Sequence, residues 1–191
     1  MRNIKSVADV LAGRKRDRLS DLGYRLMSGA IKAADLFLNY SAKNFQTLLL
    51  QPGQTVIDYG CGPGRYVPMA ARAVGPHGKV FAVDIHPLAV AKVNRIIKAK
   101  RLVNVEAVQI DGYRTPLEKE IADVIYALEM FHMVKQPGEL LQEFARLLKK
   151  EGVLLMGDGH QSRDETITKI EDSGALIVFG QTDKYVRCRR A

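Results

Sequence analysis

The chain has 191 residues, of which 47% are hydrophobic, and a formal net charge of +8 at pH 7. This length suits one domain with a full core, and no apolar run approaches the roughly 20 residues that a membrane-spanning helix needs. The start of the chain lacks the apolar core of a secretory signal. Cys61 and Cys188 lie in segments that are predicted to form different elements, which is typical of a reduced compartment. We expect a soluble cytoplasmic protein.

The charge is unevenly placed along the chain. Residues 1–50 hold nine Lys/Arg and four acids, residues 181–191 hold four and one, and the 130 residues between them balance at sixteen and sixteen. A basic fringe on a neutral body attracts nucleic acid, anionic lipid or an acidic substrate, or is simply a solvated surface. No aromatic residues interleave the basic runs, so a nucleic-acid partner is possible but not favoured.

Residues 1–45 form a predicted N-terminal helical segment ahead of the first strand. Its apolar residues recur at helical spacing and predict a packed stripe: Leu19, Leu22, Leu26, Ala30, Ala34 and Phe37, widened by Met27 and Ile31. Four polar residues are expected on the opposite face: Arg25, Ser28, Lys32 and Asp35. The helix is expected to pack on the sheet or to cap a ligand cleft, where Tyr24 would be a candidate substrate contact.

From residue 46 the pattern predicts a second unit, 46–191, in which strands and helices alternate. Strands are predicted at 56–59, 79–84, 105–110, 122–128 and 152–156, and helices at 65–74, 87–99, 138–149 and 164–173. The connection before residue 122 fits no long helix. Two final strands, 175–179 and 184–189, form a predicted hairpin. This order predicts an α/β fold with a mainly parallel sheet and an antiparallel strand at its end.

A glycine-rich loop follows the first predicted strand, in the sequence VIDYGCGPG from Val56 to Gly64. Such a loop at the carboxyl end of a parallel strand lets the backbone approach a ligand without Cβ atoms in the way. Dinucleotide binding requires the spacing G-x-G-x-x-G, but position 65 is arginine and the spacing is one residue short. An NAD-dependent oxidoreductase is therefore the weakest alternative.

Three acidic residues lie at the tips of three successive predicted strands, namely Asp58, Asp84 and Asp111. S-adenosylmethionine (SAM) carries an ammonium group, a sulfonium and an adenosine, so it suits an acidic edge. Asp58 is expected to bind the ammonium group, Asp84 the ribose hydroxyls and Asp111 the adenine amino group. Asp84 would serve a nicotinamide cofactor equally well, whereas Asp58 has a role only with SAM.

These segments, with VFAVD, VQIDG, ADVIYALEMFHMV, LLQEFARLLKKEGVLLM and the terminal hairpin, resemble class I SAM-dependent methyltransferases over about residues 45–191. The subgroup they resemble is the ubiquinone/menaquinone-biosynthesis type. The resemblance implies a Rossmann-like, doubly wound seven-stranded sheet, with SAM as cofactor and S-adenosylhomocysteine (SAH) as product. It also implies a cofactor site in the matched motifs: Asp58, Gly60, Cys61, Gly62, Gly64, Asp84, Ile85, Asp111, Gly112 and Glu129.

Two histidines follow predicted strands and are candidate catalytic residues, His132 after the fourth strand and His160 after the fifth. Histidine is the usual base near neutral pH, and methyl transfer needs a base only when the acceptor starts protonated. Asp158 is a candidate for orienting a histidine or contacting the substrate. Ordinary packing and loop roles are the alternative for both histidines. No short ligand spacing supports a metal site.

The sequence thus predicts an enzyme that transfers a methyl group from SAM to a small-molecule or lipid-like acceptor by in-line displacement. Two alternatives remain. One is an RNA methyltransferase that uses the basic termini, and the other is a SAM-binding protein without catalysis. The acceptor, the atom methylated and the oligomeric state stay open.

Overall fold

The computed structural model describes residues 17–38 and 40–191. The predictions for residues 1–16 lie outside this range, as do those for the side chains of 36–40, including Phe37. The helices are α1 (Asp21–Leu38), α2 (Tyr40–Gln46), α3 (Val67–Val74), α4 (Pro87–Lys100), α5 (Pro137–Leu147) and α6 (Arg163–Asp172). The strands are β1 (Thr55–Tyr59), β2 (Lys79–Asp84), β3 (Val105–Gln109), β4 (Ala122–Ala127), β5 (Leu148–Gly157), β6 (Leu176–Gln181) and β7 (Tyr185–Arg190). A 3₁₀ turn covers Phe131–Met133.

The seven strands form one sheet in the order β3-β2-β1-β4-β5-β7-β6. Strands β1 to β5 pair in parallel, whereas β7 lies antiparallel between β5 and β6. The predicted α/β fold and its closing hairpin are therefore confirmed. The strand order reverses between β1 and β4, and ligands of such sheets bind beyond the carboxyl ends of the strands at that point.

Helices cover both faces of the central strands, which explains why β1 and β2 are buried almost throughout. On one face, α5 and α6 pack through Leu140, Phe144 and Ile170 against the strands. On the other face, α3 and α4 pack through buried small residues such as Ala70 and Val93. Two cores thus hold the central strands and fix the edge where their carboxyl ends meet.

Strands β3 and β4 are joined by residues 110–121 without a helix, as predicted. Glu143 of α5 anchors this connection, because its carboxylate accepts the N–H and the hydroxyl of Thr115 at 2.9 and 2.8 Å. Burial opposes the charge of Glu143, but the hydrogen bonds from Arg146, at 2.6 Å, and from Thr115 lower the pKa of its carboxyl. The irregular loop is thereby tied to a buried ion pair.

The boundary between α5 and β5 lies earlier than predicted. The helix ends at Leu147 and the strand begins at Leu148, where the pattern indicated helix to residue 149 and a strand from 152. Pairing of Leu148 with Ala122 extends the strand past a bulge, and the Lys149 ammonium bonds to Asp123 at 2.8 Å. These contacts with β4 outweigh the local helical pattern.

Helix α1 exists, but its predicted apolar stripe was wrong in part. Leu22 and Leu26 are 58% and 60% exposed, and Ala30 is also exposed. The buried and half-buried side keeps three residues of the predicted stripe, Met27, Ile31 and Ala34. It also carries Gly23 and Tyr24 and two residues that were expected to face solvent, Ser28 and Asp35. The reason is tertiary, because the ring of Tyr24 stacks on that of His86 with centroids 4.4 Å apart and so orients the helix.

Candidate functional site

The glycine loop after β1 has the backbone that its sequence predicts. Gly60, Gly62 and Gly64 all have positive φ angles, of 76°, 52° and 76°. A Cβ at Gly60 would lie 2.7 Å from the side chain of Met130, and one at Gly64 would lie 2.9 Å from Val93. At Gly62 a Cβ would meet nothing within 4 Å, so this backbone faces open space. The loop therefore packs closely on two sides and leaves its middle free for a ligand.

A cavity of about 940 Å³ lies over this loop, between the carboxyl ends of β1, β2, β3 and β4 and helix α1. Its wall contains most of the predicted site residues: Tyr24, Asp58, Gly60, Cys61, Gly62, Asp84, Ile85, Asp111, Gly112, Glu129, His132 and His160. Gly64 and Asp158 are absent from this wall. The fold thus brings residues from four strand ends and α1 to one space, at the point where the strand order reverses.

Asp58 is buried in β1, with 3% of its surface exposed. Burial raises the pKa of its carboxyl to about 7; Arg65 limits this rise and the charge of Asp84 adds to it. The hydroxyl of Tyr126 lies beside this carboxyl and also lowers its pKa, but the buried Oδ2 atom makes no hydrogen bond of normal geometry with any described residue. Buried polar atoms in folded proteins are nearly always paired, so this oxygen is a fitting partner for a cationic donor in the cavity.

Asp84 and Asp111 lie at the ends of the next two strands. The carboxylate of Asp84 accepts the backbone N–H of Gly62 at 2.8 Å and that of His86 at 2.7 Å. Burial raises the pKa of Asp84, and these hydrogen bonds oppose the rise. The backbone of Ile85 also donates to this carboxylate. A carboxylate has about four acceptor sites, so acceptor capacity remains for a ligand hydroxyl. Asp111 follows β3 and is exposed at the rim of the cavity.

Arg65 and Glu129 form an ion pair that the sequence did not predict. The guanidinium lies 2.5 Å from the Glu129 carboxylate, with the Arg65 side chain 10% exposed and that of Glu129 47% exposed. Arg65 also lies over the ring of Tyr66 at 4.6 Å from its centroid. The one signal in the sequence was an arginine immediately after the glycine loop. The pair joins the loop to the end of β4 beside the cavity.

Residues before α1 are fastened to the rim of the cavity, and these contacts were also missed. Asp17 accepts a hydrogen bond from the hydroxyl of Tyr113 and, at 3.0 Å, the backbone N–H of Lys135. Tyr24 is 5% exposed, and burial together with the charge of Asp84 raises the pKa of its hydroxyl. The stacked His86 caps α4 by accepting the N–H of Leu88 at 3.2 Å. Tyr24 therefore lies on the Asp84 side of the cavity.

His132 and His160 come together as a pair, with ring centroids 4.8 Å apart and an angle of 79° between the rings. Burial and the neighbouring His160 lower the pKa of His132, so its imidazole is neutral near pH 7. Its Nδ1 is buried without a hydrogen-bond partner in the described part of the chain. Both rings line the cavity.

Asp158 does not orient either histidine. Its carboxylate forms a two-oxygen contact with the Nε of Arg163, at 3.0 and 2.9 Å. It lines a smaller neighbouring pocket of about 300 Å³, whose wall also includes His160 and Glu129.

Cys61 and Cys188 are both free and buried, and burial raises the pKa of each thiol. Among residues 17–38 and 40–191, no group of three or more His, Cys, Asp or Glu side chains is arranged to hold a metal ion. Within the same ranges, no helix has the length and hydropathy to cross a membrane.

Comparison with known proteins identifies the family. The family described as "Methyltransferase domain" matches residues 50–185. An uncharacterized 37.1 kDa protein in transposon TN4556 of Streptomyces fradiae is 30% identical over 131 residues, which is 67% of this chain and 36% of that protein. An arsenite methyltransferase of Halobacterium salinarum is 27% identical over 109 residues, which is 57% of this chain and 28% of that protein. Several ribosomal RNA methyltransferases match over stretches of 37 to 113 residues. The chain thus spans about a third of the first two relatives.

A SAM-dependent methyltransferase from Aquifex aeolicus has the same fold, with a TM-score of 0.73 and 24% identity over 90% of this chain and 97% of that one. The family match covers the glycine loop, the acidic strand tips and both histidines described above. By these matches the chain belongs to the methyltransferase domain family of SAM-dependent methyltransferases.

Proposed function

We propose that this protein transfers the methyl group of SAM to a small-molecule or lipid-like acceptor that binds in the main cavity. The observation that carries the proposal is the main cavity, whose wall brings together the buried carboxyl of Asp58 and the open backbone of Gly62. A ligand with an ammonium group next to an extended thioether or sulfonium chain fits both features.

The cofactor would be held along the carboxyl edge of the sheet. Asp58 would accept from the ammonium group and Asp84 from the ribose hydroxyls, while Asp111 would lie at the adenine end. The remaining cofactor contacts would come from the loops after β1, β2, β3 and β4: Gly60, Cys61, Gly62, Gly64, Ile85, Gly112 and Glu129. Gly64 would act indirectly, because its lack of a Cβ lets the loop pack on α4.

SAM supplies an activated methyl group, so the main contribution of the chain is to hold the acceptor in line with it. His132 is neutral near pH 7 and would accept a proton from an acceptor that starts protonated. His160, in ring contact with His132, would help to position it. Tyr24 closes the cofactor side of the cavity and so is better placed to contact the nucleoside than the acceptor. Asp158 is paired with Arg163 and lines the smaller pocket, so it would contact the acceptor from that pocket.

Apolar residues outside the proposed cofactor contacts also line the cavity, and they favour a small apolar or lipid-like acceptor over a polynucleotide. They are Met27, Ile31, Met130, Met133 and Val134. Apolar walls with a few polar groups are typical of small-molecule sites. The three methionines would adapt to acceptors of irregular shape.

RNA methylation is the second candidate, supported by the basic termini and by the ribosomal RNA methyltransferases among the relatives. It predicts binding of RNA with a steep salt dependence. Retention of SAM without transfer to any acceptor would instead identify a binding protein.

Calorimetry with SAM, SAH and NAD tests the identity of the cofactor. We expect SAM and SAH to bind and NAD not to bind. The acceptor class is tested by incubating the purified protein with methyl-labelled SAM and then extracting the sample. Mass spectrometry of the extract identifies the molecule that carries the label. Label in an organic-soluble small molecule is the expected result. Label in RNA, or no labelled product alongside tight SAM binding, would contradict the small-molecule proposal.

A further inference from the structure

We propose that the outward side of α1 docks the protein on an anionic lipid surface. We name this side the outer stripe and define it by its exposed residues: Leu22, Leu26, Gly29 and Ala33. The residues recur at spacings of four, three and four, so they lie along one side of the helix. This is the side that the sequence pattern assigned in part to the protein core, yet it faces solvent.

Two leucines dominate the outer stripe. Leu22 and Leu26 are 58% and 60% exposed and stand one turn apart. An apolar side of a helix that faces solvent, in addition to the side that packs on the protein, indicates a binding surface for a partner. The inner side of α1 is already occupied, since Tyr24 stacks on His86.

The charge beside the outer stripe selects an anionic partner. Arg25 and Lys32 flank it, are exposed, and form no ion pair with any residue that the structure describes. The exposed acid beside Leu22, Asp21, is itself paired with Arg18 at 3.1 Å, so the two unpaired charges beside the outer stripe in the described part of the chain are both positive. Leucines beside basic residues on one helix are the features by which interfacial helices bind anionic bilayers.

A second copy of this chain fits the outer stripe less well. A stable interface buries about 800 Å² on each partner, and two leucines with a glycine and an alanine supply much less apolar area.

The position of α1 gives the docking a role. Met27 and Ile31, on the inner side of the same helix, line the main cavity. Docking through the outer stripe would therefore place the cavity wall at the lipid boundary, where an apolar acceptor enters from the bilayer. This role rests on the proposed function, whereas the docking itself does not.

Sedimentation of the full chain with phosphatidylcholine vesicles, with and without phosphatidylserine, tests the proposal. We expect binding to the vesicles that contain phosphatidylserine, and a drop of about tenfold or more in the partition coefficient for Leu22→Gln/Leu26→Gln. Leu49→Gln/Val103→Gln is the matched control, because these apolar residues are 75% and 89% exposed elsewhere. The control should bind like the unmodified protein. Unchanged SAH affinity verifies that each variant is folded.

A second pair of variants tests the charge. Arg25→Gln/Lys32→Gln should weaken binding only to the phosphatidylserine vesicles, and more than Lys92→Gln/Arg95→Gln, which removes the same charge from the exposed side of α4. The proposal is overturned if vesicles do not bind, or if the leucine variant binds as well as its control. It is also overturned if ultracentrifugation reveals a dimer that only the leucine variant abolishes. No methyl transfer is needed in these assays, so their failure is distinct from failure of the acceptor proposal.

Discussion

Asp84 at the end of β2 holds Gly62 in the middle of the glycine loop, because its Oδ2 accepts the Gly62 backbone N–H at 2.8 Å. The other oxygen accepts the N–H of His86 at 2.7 Å, so both oxygens of the carboxylate are held by backbone groups. One side chain therefore shapes the loop and presents acceptor sites to the cavity. Loss of Asp84 should affect cofactor binding through both effects.

Asp84→Ala should weaken SAH binding by about 1.5–3 kcal/mol, the range for hydrogen bonds to a charged group. Calorimetry measures this loss directly. Methylthioadenosine, which keeps the ribose but lacks the amino acid part, should lose a similar amount. Asp58→Asn is the matched comparison, since it should weaken SAH and spare methylthioadenosine. Equal affinity of Asp84→Ala and the unmodified protein for both ligands would remove Asp84 from the site.

Asp58 should make cofactor binding depend on pH. With the pKa of its carboxyl raised to about 7, the residue is largely neutral at pH 6 and charged at pH 8. SAH affinity should therefore rise between pH 6 and pH 8, because the ammonium group binds the charged form better. The same titration on Asp58→Asn should give a flatter profile over this range. A wild-type profile as flat as that of the variant would argue against an ammonium contact.

The same residue should make the cofactor-free protein less stable as pH rises. The folded pKa of Asp58, about 7, lies above its ordinary value of 3.8, so the folded state binds more protons than the unfolded state between these values. Stability falls over that window. Asp58→Asn should therefore melt at a higher temperature relative to the unmodified protein at pH 8 than at pH 5. Scanning calorimetry at the two pH values measures the difference, and an equal shift at both would contradict it.

Glu143 should be important for stability. It is 5% exposed and binds Thr115 and Arg146, so Glu143→Gln leaves buried donors poorly matched. We expect a loss of about 1–3 kcal/mol in urea unfolding at pH 7. Because its folded pKa is lowered, the contribution is present above the unfolded pKa and is lost as pH falls. Glu151→Gln, at an exposed position of β5, is the control and should change stability by less than about 0.5 kcal/mol.

The sheet and the row of strand-tip acids were predictable because both follow from local pattern. Buried strands bounded by glycines and acids leave little choice of fold, and parallel strands bring their ends to one edge. The Arg65–Glu129 pair was not predictable, since it joins residues 64 positions apart whose only local signal was a charge. The orientation of α1 was predicted only in part for the same reason. Its helical spacing was visible, but the stacking of Tyr24 on His86 decides which side is buried.

Gly159 leaves space for His132, and this relationship gives a test of the histidine pair. A Cβ at Gly159 would lie 2.1 Å from the Nδ1 of His132, at a backbone φ of 65°. Gly159→Ala should therefore displace the His132 ring and raise its pKa toward 6.5, since burial and His160 hold it lower. Imidazole NMR titration measures this change. SAH affinity should stay within about twofold, because Asp58 and Asp84 are untouched.

Gly174→Ala is the matched control for Gly159→Ala. Gly174 has nearly the same φ, 60°, but a Cβ there would meet nothing within 4 Å. Both variants place alanine in left-handed backbone, which costs about 1 kcal/mol, so the excess loss of stability in Gly159→Ala reports the clash with His132 alone. If the two variants unfold at the same urea concentration and the His132 titration is unchanged, the ring is not confined by Gly159. His132 would then not be held in place for proton transfer.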